Sequence, residues 1–231
     1  MAEGWFVTGT DTGVGKTLVA AALLRAAGAR GARTIGLKPI ASGAVATAEG
    51  LRNEDALALL AAMNQELSYA QVNPVVLAPA VAPHIALAEA GMALDAAALH
   101  ARCLPALAWP HDVAVVEGAG GWRVPLNHAE TLADLARRLG FPVVLVVGMR
   151  LGCINHALLT AEAVRADGLR LAGWVANQVD PGMVNIAENL ATLDAMLGAP
   201  RIGFIPWRAG IEANAAAGLL DIGLLRGGAQ D

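Results

Sequence analysis

Gly9-Thr10-Asp11-Thr12-Gly13-Val14-Gly15-Lys16-Thr17 is the stretch on which the reading of this chain turns. It lies between a short apolar run at 5–8 and an alanine- and leucine-rich stretch at 16–29 that has the length of a helix. Glycines let successive backbone N–H groups turn inward around an anion, and the amino terminus of a helix adds unpaired donors and partial positive charge. Lys16 is then placed to reach β- and γ-phosphates, and the Thr17 hydroxyl to hold Mg²⁺. Gly13, Val14, Gly15 and Leu18 complete the backbone that would surround the phosphates. The common pattern opens with a glycine where this chain has Thr10; Gly9 stands one position earlier, so the loop is a residue longer. The stretch predicts a nucleoside-triphosphate site of a variant kind.

Outward from this loop, short β-rich runs occur at 5–8, 34–37, 113–117, 142–148, 171–176 and 202–205. The runs at 113 and 142 are apolar on successive residues instead of alternating, which is how strands covered on both faces of a parallel sheet read. Stretches of helical length separate them, at 16–29, 54–63, 94–108, 132–139, 154–166 and 183–197. Strand–helix alternation at this spacing predicts βαβ units in a doubly wound α/β fold, a mostly parallel sheet with helices on both faces. Right-handed crossovers put the loops after the strands along one edge, where such folds bind ligands.

Composition narrows the class. The chain has 231 residues, 56% hydrophobic and 16% charged, with 26 Gly and 11 Pro. No charge run, low-complexity linker or repeat divides it, so 1–231 reads as a single domain large enough to bury a substantial core. Sixteen basic against twenty acidic residues, a net of −4, give no electrostatic case for nucleic acid or an anionic membrane. The two cysteines, Cys103 and Cys153, lie far apart and outside CxxC spacing, which argues against a disulfide framework or zinc site and fits a reducing cytosol. The five histidines show no pair at ligand spacing. Met1-Ala2-Glu3-Gly4-Trp5 lacks the basic n-region of a signal peptide. The longest apolar block, 141–148, is far short of the ~20 residues a membrane helix needs. A cytoplasmic location is the expectation.

Mg²⁺ prefers six oxygens and usually takes one or two carboxylates. Glu117 ends the 113–116 run before Gly118-Ala119-Gly120-Gly121, the position of a Walker-B acid beside the phosphate loop, and these glycines would let backbone approach phosphate closely. On spacing alone, Asp55 in Asn53-Glu54-Asp55-Ala56 reads as a helix-start acid, and Lys38 before Pro39 as a surface lysine.

Several motifs occur together: Phe6-Val7-Thr8-Gly9-Thr10-Asp11-Thr12 into the loop, Gly36-Leu37-Lys38-Pro39-Ile40-Ala41-Ser42-Gly43, Gly50-Leu51-Arg52-Asn53-Glu54-Asp55-Ala56 and Val116-Glu117-Gly118-Ala119-Gly120-Gly121-Trp122. Further along come Leu151-Gly152-Cys153-Ile154-Asn155-His156, Ala172-Gly173-Trp174-Val175-Ala176-Asn177 and Ile205-Pro206-Trp207. Jointly, in this order, they resemble one family, the dethiobiotin synthetases. The longer loop is itself the family's form. The resemblance implies a cytoplasmic, ATP- and Mg²⁺-dependent ligase of biotin synthesis. It would join CO₂ to the two amines of 7,8-diaminononanoate through a phosphorylated carbamate and release ADP and phosphate. It also implies Thr17, Asp55 and Glu117 as Mg²⁺ ligands, Lys16 and Lys38 as the catalytic lysines, and Thr12 and Ser42 as substrate contacts. Gly152, Cys153 and Asn155 would bind the distal carboxylate across a twofold homodimer interface, for which a helix start is suited. His84 and His156 match family motifs and read as structural.

For the base, Asn177-Gln178-Val179-Asp180 resembles the guanine reader of GTPases with Gln in place of Lys, so spacing leaves adenine and guanine open. The resemblance implies adenine read by Asn177, with Gln178, Pro206, Trp207 and Arg208 lining it; Gln178 stands where the family commonly has Asp. A partitioning ATPase of the deviant-Walker group would carry a signature lysine early in the loop, where this chain has Thr10, Asp11 and Thr12. Its membrane-bound members would add a basic amphipathic tail, unlike Gly227-Gly228-Ala229-Gln230-Asp231. The same loop would also serve a GTPase, which Gln178 disfavours, or a related amidoligase that activates a carboxylate.

Overall fold

The computed structural model describes residues 2–226. Met1 and the tail at 227–231 lie outside the described residues. A central sheet of six parallel strands runs in the order Arg201–Ile205, Leu171–Gln178, Val143–Met149, Glu3–Gly9, Val113–Glu117, Thr34–Leu37. All six are the strands expected. Val113–Glu117 and Val143–Met149 are buried along their whole length, as their unbroken apolar runs require of strands covered on both faces. Glu3–Gly9 lies between them, paired with each. The chain leaves this strand towards one edge and later returns to its other side. The loops after Glu3–Gly9 and Val113–Glu117 therefore meet at the switch point where doubly wound sheets bind ligands.

The helices Lys16–Ala29 and Leu132–Leu139 have the expected bounds. Others start or stop elsewhere for local reasons. Glu54–Ala62 begins after Asn53, whose side chain accepts from the N–H groups of Asp55 and Ala56. Ala96–Leu107 begins after Asp95, which accepts from Ala98 at 2.6 Å. The helix expected from 183 begins only at Ile186, because Asp180 holds a turn through Gly182 and Asn185 adopts φ 53°. Strand Leu171–Gln178 continues beyond 176 and carries Asn177 and Gln178 into the sheet, in register with Gly148 and Met149.

Other elements escaped the periodicity. They are the hairpin Val45–Thr47 with Gly50–Arg52, the two-residue parallel pair Ile40–Ala41 with Val75–Val76, and the short helices Tyr69–Val72, Pro83–Glu89 and Ala213–Ala217. Each is too short to show a repeat. No helix among the described residues is long and apolar enough to cross a membrane.

Candidate active site

The phosphate loop is shaped by Gly15, whose φ of 88° turns the chain into helix Lys16–Ala29. A Cβ there would lie 2.2 Å from the Asn177 amide nitrogen, so only glycine fits both the dihedral and the space. Gly15 also provides no side-chain cap, so the N–H groups of Lys16, Thr17 and Leu18 have no partner from it. That is the donor set an anion binds.

Beside the loop is a cavity of about 700 Å³. Thr12, Gly13, Gly15, Lys16 and Thr17 form one wall, and Ala119, Gly120 and Val124 from the loop after Glu117 form another. Lys38, Ser42, Asp55 and Glu117 complete the polar lining, and the segment 80–83 faces it with apolar residues. Five side chains from four segments distant in sequence converge here. The Thr17 hydroxyl lies 2.7 Å from Asp55 Oδ1 and 2.9 Å from Glu117 Oε1. Having one proton, it donates to one of them at a time. The Lys38 ammonium has all three donors engaged, with Glu117 Oε1 at 2.6 Å, Asp55 Oδ2 at 2.8 Å and the Gly118 carbonyl at 3.0 Å. Lys16 donates to the Asp11 carbonyl at 3.0 Å.

Lys38 is 3% exposed. This corrects the surface reading of a lysine before proline: the chain past strand Thr34–Leu37 turns inward, and two carboxylates compensate the buried charge. Burial pushes the Lys38 pKa down, but Glu117 and Asp55 outweigh it and the net shift is upward, so the ammonium stays charged. Glu117 is pushed up, first by burial and then by Asp55, against the pull of Lys38. Burial alone would raise Asp55, but Lys38, Thr17 and Lys16 together bring it below the usual carboxylate range. Lys16 is lowered to about 8, by burial first and then by Lys38. Asp55 is thus both the helix-start acid that spacing predicts and a member of the cluster.

One oxygen of the cluster has no partner. Glu117 is 1% exposed and its Oε2 makes no hydrogen bond among the described residues. A buried carboxylate oxygen left unpaired is costly unless something polar completes it. Together with the Thr17 hydroxyl and Asp55, it forms an all-oxygen donor set, which fits a hard divalent cation such as Mg²⁺.

Other expected residues lie outside the cavity lining. Asn177 gives one amide hydrogen to the Val14 carbonyl at 2.8 Å, so it supports the loop from below; a carboxamide retains a second donor. Gln178 is engaged at both ends, donating to the Asp180 carbonyl at 3.1 Å and accepting from Trp207 N–H at 3.1 Å. Pro206, Trp207 and Arg208 are exposed, with Trp207 at 51%. Gly152 (φ 92°) opens helix Cys153–Ala166; Cys153 is buried and Asn155 exposed, and Leu151 before them is 98% exposed. His156 is exposed, and the His84 Nδ1 is buried without a hydrogen-bond partner among the described residues.

Sequence reasoning missed the 80–83 wall, which carries no polar signal. It also missed Arg150, which binds Asp11 Oδ2 at 2.5 Å while Asp11 Oδ1 accepts from Thr12 N–H at 2.7 Å. The Thr12 contact and Arg150 bring the Asp11 pKa below the usual range. Asn53, the N-cap of helix Glu54–Ala62, could have been found from its place before Glu54-Asp55.

A glycine-rich loop, a lysine and hydroxyl at the following helix start, and an acid on the adjacent parallel strand define a P-loop nucleoside-triphosphate-binding protein. A family model described as an AAA domain matches residues 3–215. Among solved structures, the septum site-determining protein MinD of Pyrococcus horikoshii, in complex with Mg-ADP, aligns with a TM-score of 0.59 at 18% identity, covering 94% of this chain and 86% of that one. A ParA family ATPase of Chlorobium tepidum aligns at 0.53 and 14%, covering 90% and 86%. These likenesses bear on the fold alone. Closer in sequence is the ATP-dependent dethiobiotin synthetase BioD of Pseudomonas paraeruginosa, 58% identical over 218 residues, 94% of this chain and 96% of the relative. The protein of the same name from Cellvibrio japonicus is 54% identical over 220 residues, 95% and 96% of the two chains. The chain belongs to the ATP-dependent dethiobiotin synthetase family and is an enzyme of that family.

Proposed function

We propose that this chain, acting as a single domain, carries out ATP-dependent dethiobiotin synthesis from 7,8-diaminononanoate and CO₂. The observation that carries this reading is the convergence of Lys16, Lys38, Thr17, Asp55 and Glu117 on one cavity, with Thr12 and Ser42 in its walls, in a chain 58% identical to a dethiobiotin synthetase. One amine of the diamine adds to CO₂ to give a carbamate. A carbamate oxygen then attacks the γ-phosphorus of ATP and ADP departs. The second amine attacks the resulting mixed anhydride at carbon, the C–O bond breaks, phosphate leaves and the ureido ring is closed.

No covalent protein nucleophile is needed, and among the described residues no cysteine lines the cavity. The protein's part is alignment and neutralisation of charge. Lys16 contacts the γ-phosphate, and Lys38, kept charged by its carboxylates, faces the carbamate and the transferring phosphoryl group. Thr17, Asp55 and Glu117 would hold Mg²⁺, which neutralises charge on the triphosphate oxygens. Asn177 and the exposed Trp207 would receive the adenine, with Gln178 fixing the Trp207 backbone. The helix start at Gly152, Cys153 and Asn155 serves the neighbouring subunit of a homodimer, where it binds the distal carboxylate.

The direct test measures ADP release with diamine, bicarbonate and Mg²⁺ omitted in turn; each omission should abolish it. Release that persists without the diamine would favour a switch ATPase instead. Glu117→Gln and Asp55→Asn should each raise the Mg²⁺ concentration for half-maximal rate roughly ten-fold or more. An Asp55→Asn enzyme that titrates with Mg²⁺ like wild type leaves Asp55 with its helix-start role alone.

A further inference from the structure

Lys38 and Asp55 meet at 2.8 Å, yet neither is held by a strand ladder. Lys38 follows the end of strand Thr34–Leu37, and Asp55 stands in the first turn of helix Glu54–Ala62. Behind them is a set of polar groups that the proposed reaction does not use. The Lys38 carbonyl accepts from Asn73 Nδ2 at 2.6 Å, and the same amide donates to the Val75 carbonyl at 3.1 Å. Asn73 Oδ1 accepts from the Tyr69 hydroxyl at 3.0 Å, and that hydroxyl accepts from Asn53 N–H at 2.8 Å. Asn53 Oδ1 then accepts from the N–H groups of Asp55 and Ala56 at 3.1 and 3.3 Å, while its Nδ2 donates to the Ser42 carbonyl at 3.3 Å. The Lys38–Asp55 ion pair closes these bonds into a ring.

We infer that Asn73, Tyr69 and Asn53 are positioning residues, a hydrogen-bonded relay that fixes Lys38 against Asp55 and ties Ser42 to the same frame. Asn53 is 8% and Asn73 2% exposed. Both amide hydrogens and the oxygen of Asn73 are engaged, and a buried polar network satisfied in this way is rigid. Its bonds end on the backbone of Lys38, Asp55 and Ser42, the residues that need a fixed separation. Tyr69, the only tyrosine of the chain, is the link between the two halves. Its ring is held independently, with the Arg52 guanidinium 4.3 Å above the centroid. Removing the hydroxyl therefore opens the ring of hydrogen bonds without removing the packing.

The inference rests on the reaction proposed above, and the test separates the two. Tyr69→Phe should lower kcat for diamine-dependent ADP release by about 10²-fold, the loss expected from a displacement of about 1 Å at the reacting groups. At saturating Mg²⁺ the KM for ATP should stay near the wild-type value, because the phosphate loop is untouched. A wild-type kcat in Tyr69→Phe overturns the relay. A wild-type enzyme with no diamine-dependent release overturns the reaction instead. The crystal structure of the variant then still decides the relay: a displaced Lys38–Asp55 pair supports it and an unchanged pair overturns it. Should Tyr69→Phe fail to fold, Asn53→Asp is the second variant. It keeps the helix cap and replaces the donor to the Ser42 carbonyl by a carboxylate oxygen that repels it, so the diamine KM should rise more than kcat falls; an unchanged diamine KM overturns the tie to Ser42.

Discussion

Lys16→Ala is expected to lower turnover by about 10²–10³-fold, the usual cost of removing one donor to developing phosphoryl or oxyanion charge, while the protein remains folded. The side chain packs at the cavity wall and its one hydrogen bond among the described residues is to the Asp11 carbonyl, so truncation leaves no buried acid stripped of a hydrogen bond. Lys38 is different: truncating it would strand Glu117 in the interior. ADP release gives the rate and far-ultraviolet circular dichroism the fold. Activity near wild type would remove Lys16 from the phosphate contact, and an unfolded variant would show that its role is structural.

Mixing two impaired variants should restore activity at a diamine concentration well below the wild-type KM, and the amount is set by symmetry. If the helix start at Gly152 serves the neighbour's cavity, Lys16→Ala homodimers lack a competent site and Gly152→Ala homodimers turn over slowly at that diamine concentration. In the mixed dimer one site takes its Lys16 from one chain and its Gly152 from the other, while the second site lacks both. Random reassortment makes half of the dimers mixed, each with one good site of two, so about a quarter of wild-type activity should return. Gly152→Ala alone should raise the diamine KM with little change in ATP binding. The helix-end field favours a carboxylate by roughly 0.3–2 kcal/mol, and Gly152 lies outside the walls of its own chain's cavity. Alanine has room there, since no atom of the described residues lies within 4 Å of the added Cβ, though φ 92° disfavours it. Absence of recovery after demonstrated subunit exchange would leave this helix with a structural role only.

The central sheet and the phosphate loop were legible in the sequence because both rest on local chemistry. A strand buried on both faces shows an unbroken apolar run, as in Val113–Glu117, and a loop that wraps an anion shows its glycines, as at Gly13 and Gly15. Glu117 was legible too, since a charge that ends such a run has few structural reasons to be there. Resemblance added Lys38 and Asp55, which local pattern alone reads as a surface lysine and a helix-start acid, and it gave Thr12 and Ser42 their expected substrate contacts.

As a linear pattern, then, the chain discloses its class of fold, the edge of the sheet where ligands bind, and the loop that meets the phosphates. Folding in three dimensions was needed to bury Lys38 between Asp55 and Glu117, to leave Glu117 one oxygen without a partner, and to stand Asn73, Tyr69 and Asn53 behind the pair. The difference is one of range. Periodicity and glycine punctuation record the conformation of neighbouring residues, whereas the charge state of a lysine depends on carboxylates that the sheet brings to it from other loops. Desolvation and ion pairing act through space, and a linear pattern carries no signal of them until the crossovers of the fold have put those loops on one edge.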